Sequence, residues 1–308
     1  MSSRAVFTKL RSFTWSFVRG TLIWGTSLII VYPVIFKVLV SFMSETDLFD
    51  PQVNLLTRNF SIARIARSYM AVANTMQYME AFLNSLGLCL LVSGCTLISS
   101  TLIGYGFARF NFKINSLLFA FVVLTLVVPP QMNMIPLFLN FRFFDFYGLL
   151  SKPGFNLIGT VWPFLFTSLT GTGYRNGLFI YIMRQHFAGM PKSLEEAAYI
   201  DGAGALKTFI KIMLPGAIPV LIVVFLFSFV WQWNDTFLTS LYMRDTSTLL
   251  PFTLNRLVNE FDFDNFDKLY ATVVRNTGMV LFLAPLLIMY GFLQRYFVEG
   301  IERTGIVG

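Results

Sequence analysis

Side chains that could do covalent or metal chemistry are few and scattered in this sequence of 308 residues. The one histidine, His186, has no cysteines or carboxylates around it at the spacing of metal ligands, and no Ser/His/Asp set can be built on it. A nucleotide-binding P-loop needs a Gly-Lys pair after a glycine-rich turn, and the sequence contains no Gly-Lys dipeptide. We therefore predict a protein that is not an enzyme and that has no ATPase site, metal or cofactor of its own.

The most specific spacing lies in residues 191–215, PKSLEEAAYIDGAGALKTFIKIMLP, and it predicts two short helices joined by a turn. Ser193 and Glu196 match a capping box, so the first helix is expected to begin at Leu194. Gly202 is expected to end it, because glycine adopts the left-handed conformation of a chain reversal at little cost. A rigid helix pair of this kind is suited to docking against another protein. An ordinary interfacial loop is the alternative.

Both predicted helices have faces of defined chemistry. One face of the first is expected to allow close approach by a partner, because it includes two alanines: Leu194, Ala197, Ala198 and Asp201. The second helix, from Ala205, is expected to have one apolar stripe: Leu206, Phe209, Ile210 and Met213. Lys207 and Lys211 fall on its opposite side, and Pro215 fits the first turn of the helix that follows.

The elements that position this loop are predicted to lie in a membrane. Hydrophobic residues make up 56% of the chain and charged residues only 13%, whereas soluble domains have about 25% charged residues. The net charge of +7 is not gathered into a basic run or stripe, which argues against nucleic-acid binding. We predict an all-α polytopic membrane protein.

Six segments approach the length of about 20 apolar residues that a spanning helix requires. They run approximately over residues 21–42, 86–107, 117–138, 158–183, 216–237 and 277–293. Pro129 and Pro130 predict a kink or a local unwinding in the third. The stretch from Gly171 to Gly177 interrupts the fourth, so that either the helix begins after this stretch or it is broken where it lines a polar cavity.

Basic residues before the first span set the expected topology. Arg4, Lys9, Arg11 and Arg19 precede it without an acidic residue, which places the N-terminus in the cytoplasm under the positive-inside rule. With six spans, the C-terminus is cytoplasmic as well. We predict a cytoplasmic segment 1–20, a single membrane domain 21–300 and a cytoplasmic tail 301–308.

The loop also resembles a known family motif. Glu196-Ala197-Ala198, then Gly202, then Ile212-x-Leu214-Pro215 match at every defined position the EAA loop of binding-protein-dependent ABC transporter permeases. The resemblance covers nearly the whole chain and is similar to the carbohydrate-uptake branch, in particular to the second permease subunit of maltose-type transporters. The strings that carry it are Asn84-Ser85, Gly104-Tyr105-Gly106-Phe107-Ala108-Arg109, Ile135-Pro136-Leu137, Tyr181-Ile182-Met183-Arg184-Gln185, Ile200-Asp201-Gly202-Ala203, Trp231-x-Trp233-Asn234 and Gln294-Arg295-Tyr296-Phe297-Val298. The interruption at Gly171–Gly177 departs from the family pattern.

The resemblance implies a type I ABC importer permease fold and a mechanism. In the family the EAA helix is a coupling helix that docks into a cleft on the ATPase subunit. The residues expected to act in this coupling are Ser193, Glu195, Glu196, Ala197, Ala198, Asp201, Gly202, Ile212, Leu214 and Pro215. The implied partners are a homologous permease, two ATPase subunits that bind ATP and Mg²⁺, an extracytoplasmic solute-binding protein and membrane lipid.

The substrate that the resemblance implies is a sugar or oligosaccharide. Gln232 and Asn234 flank Trp233 near the expected outer end of the fifth span and are candidates for the substrate pathway, although they can equally anchor the membrane interface. A permease for a non-sugar solute such as a glycerol phosphate is an alternative, and an ion-coupled secondary carrier is an alternative of another class. The acidic segment Phe261-Asp262-Phe263-Asp264 is either a docking surface for the binding protein or a solvated loop.

Overall fold

A computed structural model describes residues 3–53, 56–146, 148–149, 154–260 and 270–305. The described residues are mostly helical, as predicted, and their only strand-like pairing is a bridge between Phe144 and Phe155. The helices are α1 Ser3–Ser41, α2 Glu45–Phe49, α3 Ile62–Thr75, α4 Tyr78–Arg109, α5 Asn115–Val127, α6 Met134–Arg142, α7 Trp162–Leu169, α8 Asn176–Gly189, α9 Ser193–Ile200, α10 Ala205–Thr208, α11 Leu214–Gly216, α12 Ile218–Trp233, α13 Phe237–Tyr242, α14 Leu250–Glu260 and α15 Tyr270–Gly305. The acidic segment 261–264 and the last residues of the tail, 306–308, lie outside the described residues.

Fewer helices than six are long and apolar enough to cross a membrane in one piece. Within the described residues three qualify, Phe13–Ser41, Tyr78–Arg109 and Tyr270–Tyr296, and the number rises to five if two bent pairs each form one span. One pair is α5 with the segment Gln131–Arg142, bent by 100°, and the other is Ala205–Gly216 with α12, bent by 75°. The break in the first pair follows from the two prolines, as predicted, because a proline ring cannot continue the helical hydrogen bonding. The predicted number of six spans stays a prediction.

Contacts between residues divide the chain into two compact units, residues 1–76 with 256–283, and residues 77–255 with 284–308. In the first unit a buried carboxylate organises the turn after α1. Asp47 accepts hydrogen bonds from the hydroxyl of Thr57 and from the backbone and side-chain amides of Asn59, and it forms a reciprocal capping box with Ser44 at the start of α2. Desolvation raises the pKa of Asp47, but these hydrogen bonds outweigh it and lower the pKa from 3.8 to about 2.

We predict that this turn loses its order in acid. A depressed carboxyl pKa stabilises the folded state above the unfolded pKa of about 4, and that stabilisation disappears as the pH falls through about 2. Hydrogen exchange at the amides of Ser44, Asp47 and Asn59, corrected for intrinsic rates, should accelerate between about pH 4 and pH 2. An Asp47→Asn variant should exchange fast throughout. Asp50→Asn is the control, since its pair with Arg58 is solvent-exposed and weak, and equal exchange in both variants would contradict the assignment.

The second unit is built around α4, which packs along α7, α8 and α12. Small and hydroxyl residues allow these helices to approach closely, and buried hydroxyls on α4 bond backbone carbonyls, as Ser99 does to Ser168 O at 2.6 Å and Ser100 to Thr96 O at 2.6 Å. α4 and α8 approach closely at Gly104, where an added methyl group would lie 2.6 Å from Cβ of Met183 and 2.9 Å from N of Arg184. α4 and α8 therefore form one tightly packed pair.

A buried apolar cluster extends this pair to the loop that follows α8. Its members come from α4, α8, the segment after α10 and the start of α12: Tyr105, Phe179, Met183, Phe187, Phe209, Met213, Ala217, Val220 and Val224. Because Phe209 and Met213 are packed against the same side chains as Phe187, the second helix of the loop is part of the core of this unit.

The close approach at Gly104 gives a stability prediction with a matched control on the same helix. Gly104→Ala should lower the thermal unfolding midpoint, because overpacking a filled contact costs about 1–3 kcal/mol. Gly106→Ala should leave it unchanged or raise it, since nothing lies within 4 Å of its added methyl group and alanine favours the helix by up to about 1 kcal/mol. Equal midpoints for the two purified variants would show that the α4–α8 contact is looser than described.

Candidate functional site

A break in the fourth predicted span opens into a cavity. α7 ends at Leu169 and α8 begins at Asn176, and the intervening turn contains Gly171 and Arg175 with φ of 72° and 66°. Asn176, buried below the turn, donates from Nδ2 to Ser168 O at 3.3 Å. The turn lines a cavity, as the second of the two alternatives drawn from the sequence expects. That α7 and α8 are two halves of one broken span stays a prediction.

The cavity has a volume of about 380 Å³ and a wall of mixed character. α4, α5, the turn after it, α7, α8, α12 and α13 all contribute to its wall. Its hydrogen-bonding side chains are Thr96, Thr125, Asn133, Thr167, Ser168, Thr172, Asn176, Ser228 and Gln232. Tyr174 and Trp231 supply aromatic faces, and Arg175 and Asp235 supply the charges. Neutral polar groups beside aromatic rings are suited to a hydroxylated ligand.

The two substrate-pathway residues predicted from the sequence separate here. Gln232 lies on the cavity wall and donates from Nε2 to Thr239 Oγ1 at 3.3 Å, which leaves its amide oxygen available. Asn234 is not among the lining residues, because its side chain folds back on its own helix and donates to Val230 O at 2.7 Å. Asp235, Trp231 and Tyr174 also line the cavity and were not among the predicted substrate-pathway residues.

At the other end of α8, the predicted capping box is wrong. α9 begins at Ser193 with Lys192 in the cap position, and no side chain caps it. The amides of Leu194, Glu195 and Glu196 are bonded instead by the carbonyls of Pro191 and Lys192, so Ser193 is already inside the first turn. Pro191 accounts for this start, because its fixed φ preforms a helical turn.

Glu195, buried on the inner side of α9, fastens this helix to the end of α4. Tyr105 Oη donates to Glu195 Oε1 at 2.9 Å, and Arg109 Nη1 lies 3.3 Å from Glu195 Oε2. Arg109 also donates from Nη2 to Met190 O at 2.7 Å, just before the loop. With its side chain only 5% exposed and that of Glu195 12% exposed, this is a buried ion pair with hydrogen bonds on both sides.

The burial of Glu195 and Ala198 contradicts part of the predicted docking face. Glu195 and Ala198 point inward and are buried, whereas Leu194, Glu196, Ala197, Ile200 and Asp201 are exposed. The prediction that Ala198 shares an exposed face with Leu194, Ala197 and Asp201 is therefore wrong. The partner of Glu195 was missed, although Tyr105 and Arg109 stand four residues apart at the end of a predicted span, on one helical face. Ile200 is 86% exposed at the tip of the helix.

The turn at Gly202 matches the prediction, and the helix beyond it does not. Gly202 has a φ of 75° and donates to Tyr199 O at 3.1 Å. α10 begins at Ala205 but continues as a π-helical turn over Phe209–Met213, which rotates the predicted apolar stripe. Its four members are consequently divided, with two buried (Phe209, Met213) and two exposed (Leu206, Ile210).

The prolines after this turn define where the next long helix starts. Pro215 occupies the first turn of the three-residue α11, with Leu214 beside it, and Ile212 is half-buried in the π-helical turn. α12 begins only at Ile218, with Pro219 in its first turn, so Pro215 does not open the long helix as predicted. The bend of 75° between the two segments lets the loop lie across the end of the helices.

These features match a known family. A model of the family described as "Binding-protein-dependent transport system inner membrane component" matches residues 100–303, which include the cavity turn, α9 and α12. The chain belongs to this family. It is thus a multi-pass membrane permease component of a binding-protein-dependent transport system, a role distinct from that of an ATPase subunit.

Individual relatives of this permease include transporters named for several solutes. The osmoprotective compounds uptake permease protein GgtD of Synechocystis sp. is 35% identical over 224 residues, 72% of this chain and 68% of that protein. The alpha-glucoside transport system permease protein AglG of Rhizobium meliloti is 30% identical over 78% of this chain and 60% of its own length. The arabinooligosaccharides transport system permease protein AraQ of Halalkalibacterium halodurans is 27% identical over 91% and 92%.

A solved structure has the same fold as this permease. It is the crystal structure of a bacterial ABC transporter involved in the import of the acidic polysaccharide alginate. One of its chains superposes with a TM-score of 0.74 at 21% identity, covering 96% of this chain and 99% of its own.

We expect the ion pair between Glu195 and Arg109 to hold α9 in place on the permease. Glu195→Gln keeps an acceptor for Tyr105 but leaves Arg109 as an unpaired buried charge, a change that costs about 3–5 kcal/mol in buried ion pairs. Amides of α9 should then exchange with solvent at least about tenfold faster in the purified protein. Glu196→Gln, on the exposed side of the same helix, is the control and should leave exchange unchanged. If both variants exchange like the wild type, Glu195 does not hold the helix.

Proposed function

We propose that this permease forms half of the translocation pathway of an ABC importer for a sugar or oligosaccharide, driven by ATP hydrolysis on separate ATPase subunits. Its partners are a homologous permease, two ATPase subunits that bind ATP and Mg²⁺, and an extracytoplasmic solute-binding protein. The chain itself holds no cofactor. It lies in the prokaryotic inner membrane with both termini and α9 on the cytoplasmic side.

The observation that carries the proposal is the connection from α9 to the cavity through α4. Glu195 fixes α9 to Tyr105 and Arg109 at one end of α4, while Val92 and Thr96 of the same helix lie on the cavity wall. Thr96 and Tyr105 are separated by about 14 Å along a helix, at 1.5 Å per residue. A displacement of α9 by a bound ATPase is therefore transmitted to the cavity by a continuous helix.

The exposed side of α9 supports docking to an ATPase. Leu194, Glu196, Ala197, Ile200 and Asp201 point away from the permease, and they place apolar groups at the tip with carboxylates beside them. Ile200, 86% exposed at the tip, offers an apolar contact to such a partner. Ser193 lies at the start of this surface and Gly202 at its end, whereas Ile212, Leu214 and Pro215 support it from the following bend.

The cavity and the relatives together support a hydroxylated substrate. Neutral hydrogen-bonding groups and the rings of Tyr174 and Trp231 line the wall, and relatives are named for alpha-glucosides and arabinooligosaccharides. Gln232, with its free amide oxygen, is placed to accept a hydrogen bond from a substrate hydroxyl. The wall also carries Arg175 and Asp235. The positive charge of Arg175 would suit the alternative substrate, a phosphate-containing solute.

Gly202 provides the test of coupling. Proline at this position cannot adopt a φ of 75° and cannot donate to Tyr199 O, so α9 should be misoriented. In the complete complex reconstituted with its binding protein, Gly202→Pro should lower substrate-stimulated ATPase activity and uptake by about tenfold or more. Gly202→Asn, which tolerates the left-handed conformation, should retain most of both.

The result can go against the proposal in two ways. Full coupling in the Gly202→Pro complex would remove α9 from the coupling mechanism. Failure of the tagged wild-type permease to co-purify an ATPase and a second permease from its native membrane would remove the importer assignment itself.

A further inference from the structure

Arg175 is unusual in its backbone and in the position of its side chain. It is one of three non-glycine residues with positive φ among the described residues, at 66°, a conformation that costs a non-glycine residue about 1–2 kcal/mol. Strain of this kind persists where surrounding contacts impose it, and such positions cluster at binding sites. Here the strained turn places the guanidinium in the cavity, 4.0 Å from the ring centre of Trp231 and 4.7 Å from that of Tyr174.

The two rings fix the guanidinium without using its donors. Stacking engages the flat face of the group, while its five N–H donors point outward in the plane. Among the residues that the structure describes, the guanidinium donates no hydrogen bond and forms no ion pair. Its N–H donors are therefore available to a ligand.

The one acidic residue of the cavity wall is occupied elsewhere. Asp235 accepts hydrogen bonds from the amides of Leu238 and Thr239, at 3.3 and 2.8 Å, and from the hydroxyl of Thr239 at 2.8 Å. These bonds tie its carboxylate to the start of α13. The cavity wall thus carries one charge of each sign, and the donors of Arg175 are the charged groups left available beside neutral hydrogen-bonding side chains.

We propose that Arg175 binds an anionic group, a carboxylate or a phosphate, on a sugar or polyol substrate. The inference rests on the proposed function and specifies its substrate class. A carboxylate or phosphate matches the planar fork of a guanidinium with two parallel charge-assisted hydrogen bonds, which are about twice as strong as neutral ones. A neutral hydroxyl would fill one donor without the second parallel bond and without the charge assistance.

The test is ligand-dependent thermal stabilisation of the purified complex of permeases and ATPases. The probes are a galacturonic acid trimer, glycerol 3-phosphate and maltotriose, which carry a carboxylate, a phosphate and no charge. One of the two anionic probes, and not maltotriose, should raise the unfolding midpoint of the wild-type complex. The anionic probe that does so identifies the group as carboxylate or phosphate.

Variants at Arg175 assign the effect to the guanidinium. Arg175→Gln should weaken the apparent Kd of the anionic probe at least about tenfold, as expected for the loss of a charge-assisted pair. The apparent Kd of the Arg175→Lys variant should lie between those of the wild type and Arg175→Gln, because lysine keeps the charge but loses the planar fork and the stacking. Arg142→Gln is the matched control, since Arg142 is exposed and absent from the cavity wall, and it should bind as the wild type does.

Three results would overturn the inference: stabilisation by maltotriose equal to that by the anions, no stabilisation by any probe, or anion binding that survives Arg175→Gln. Loss of the second permease from the Arg175→Gln complex would also overturn it, because the guanidinium would then serve subunit contact. ATPase activity that co-purifies with the permease is measured in the same samples. If ATPase activity co-purifies but no anionic probe is preferred, only this inference is refuted. If no ATPase activity co-purifies, the proposed function is refuted.

Discussion

The contact on which the cytoplasmic end of this permease depends is the buried carboxylate of Glu195, held by Tyr105 and Arg109. A buried ion pair is seldom the most stabilising way to fill a site, since an apolar side chain of similar volume often does as well. What the pair adds is direction: the hydroxyl and guanidinium fix the rotation of α9 about its axis, because only one residue of the helix can occupy that position. This rotation decides which side chains of α9 face outward. Because Glu195 faces inward, Glu196 and Ile200 face outward.

The cavity follows from a different constraint, the need of backbone amides and carbonyls for partners inside a membrane. Helices can be broken there only where the freed groups reach other protein groups or a polar space. Two breaks of the second unit lie at one place, because Val128 and Asn133 beside the proline break and Thr172 to Asn176 beside the glycine break all line the same cavity. The turn between α7 and α8 is supported by Asn176, which bonds the last turn of α7. The irregular backbone and the polar lining therefore have one cause.

Features that depend on a single residue type could be predicted from the sequence. The two prolines at 129 and 130 predicted a break and Gly202 predicted a left-handed turn, and the structure agrees with both. Composition predicted a membrane protein, and the family match agrees with it. Features that depend on contacts distant in sequence were missed. The capping box failed because Pro191 started the helix one residue early, and the apolar stripe after Ala205 was divided by a π-helical turn that no local pattern announces. The pairing of Glu195 with Arg109 joins residues 86 positions apart, and nothing in either local sequence specifies the other.

α8 connects the cavity to the loop that contains α9 more directly than α4 does. Arg175 precedes its first turn in the cavity, Met183 in its middle packs on Gly104, and Phe187 near its end belongs to the apolar cluster with Phe209 and Met213 of the loop. Because the contact at Gly104 leaves no space for sliding, α4 and α8 must move together when the loop moves. If a displaced loop turned this pair against α12, Arg175 would shift relative to Trp231. Binding in the cavity and the position of the loop would then bias each other by the same free energy.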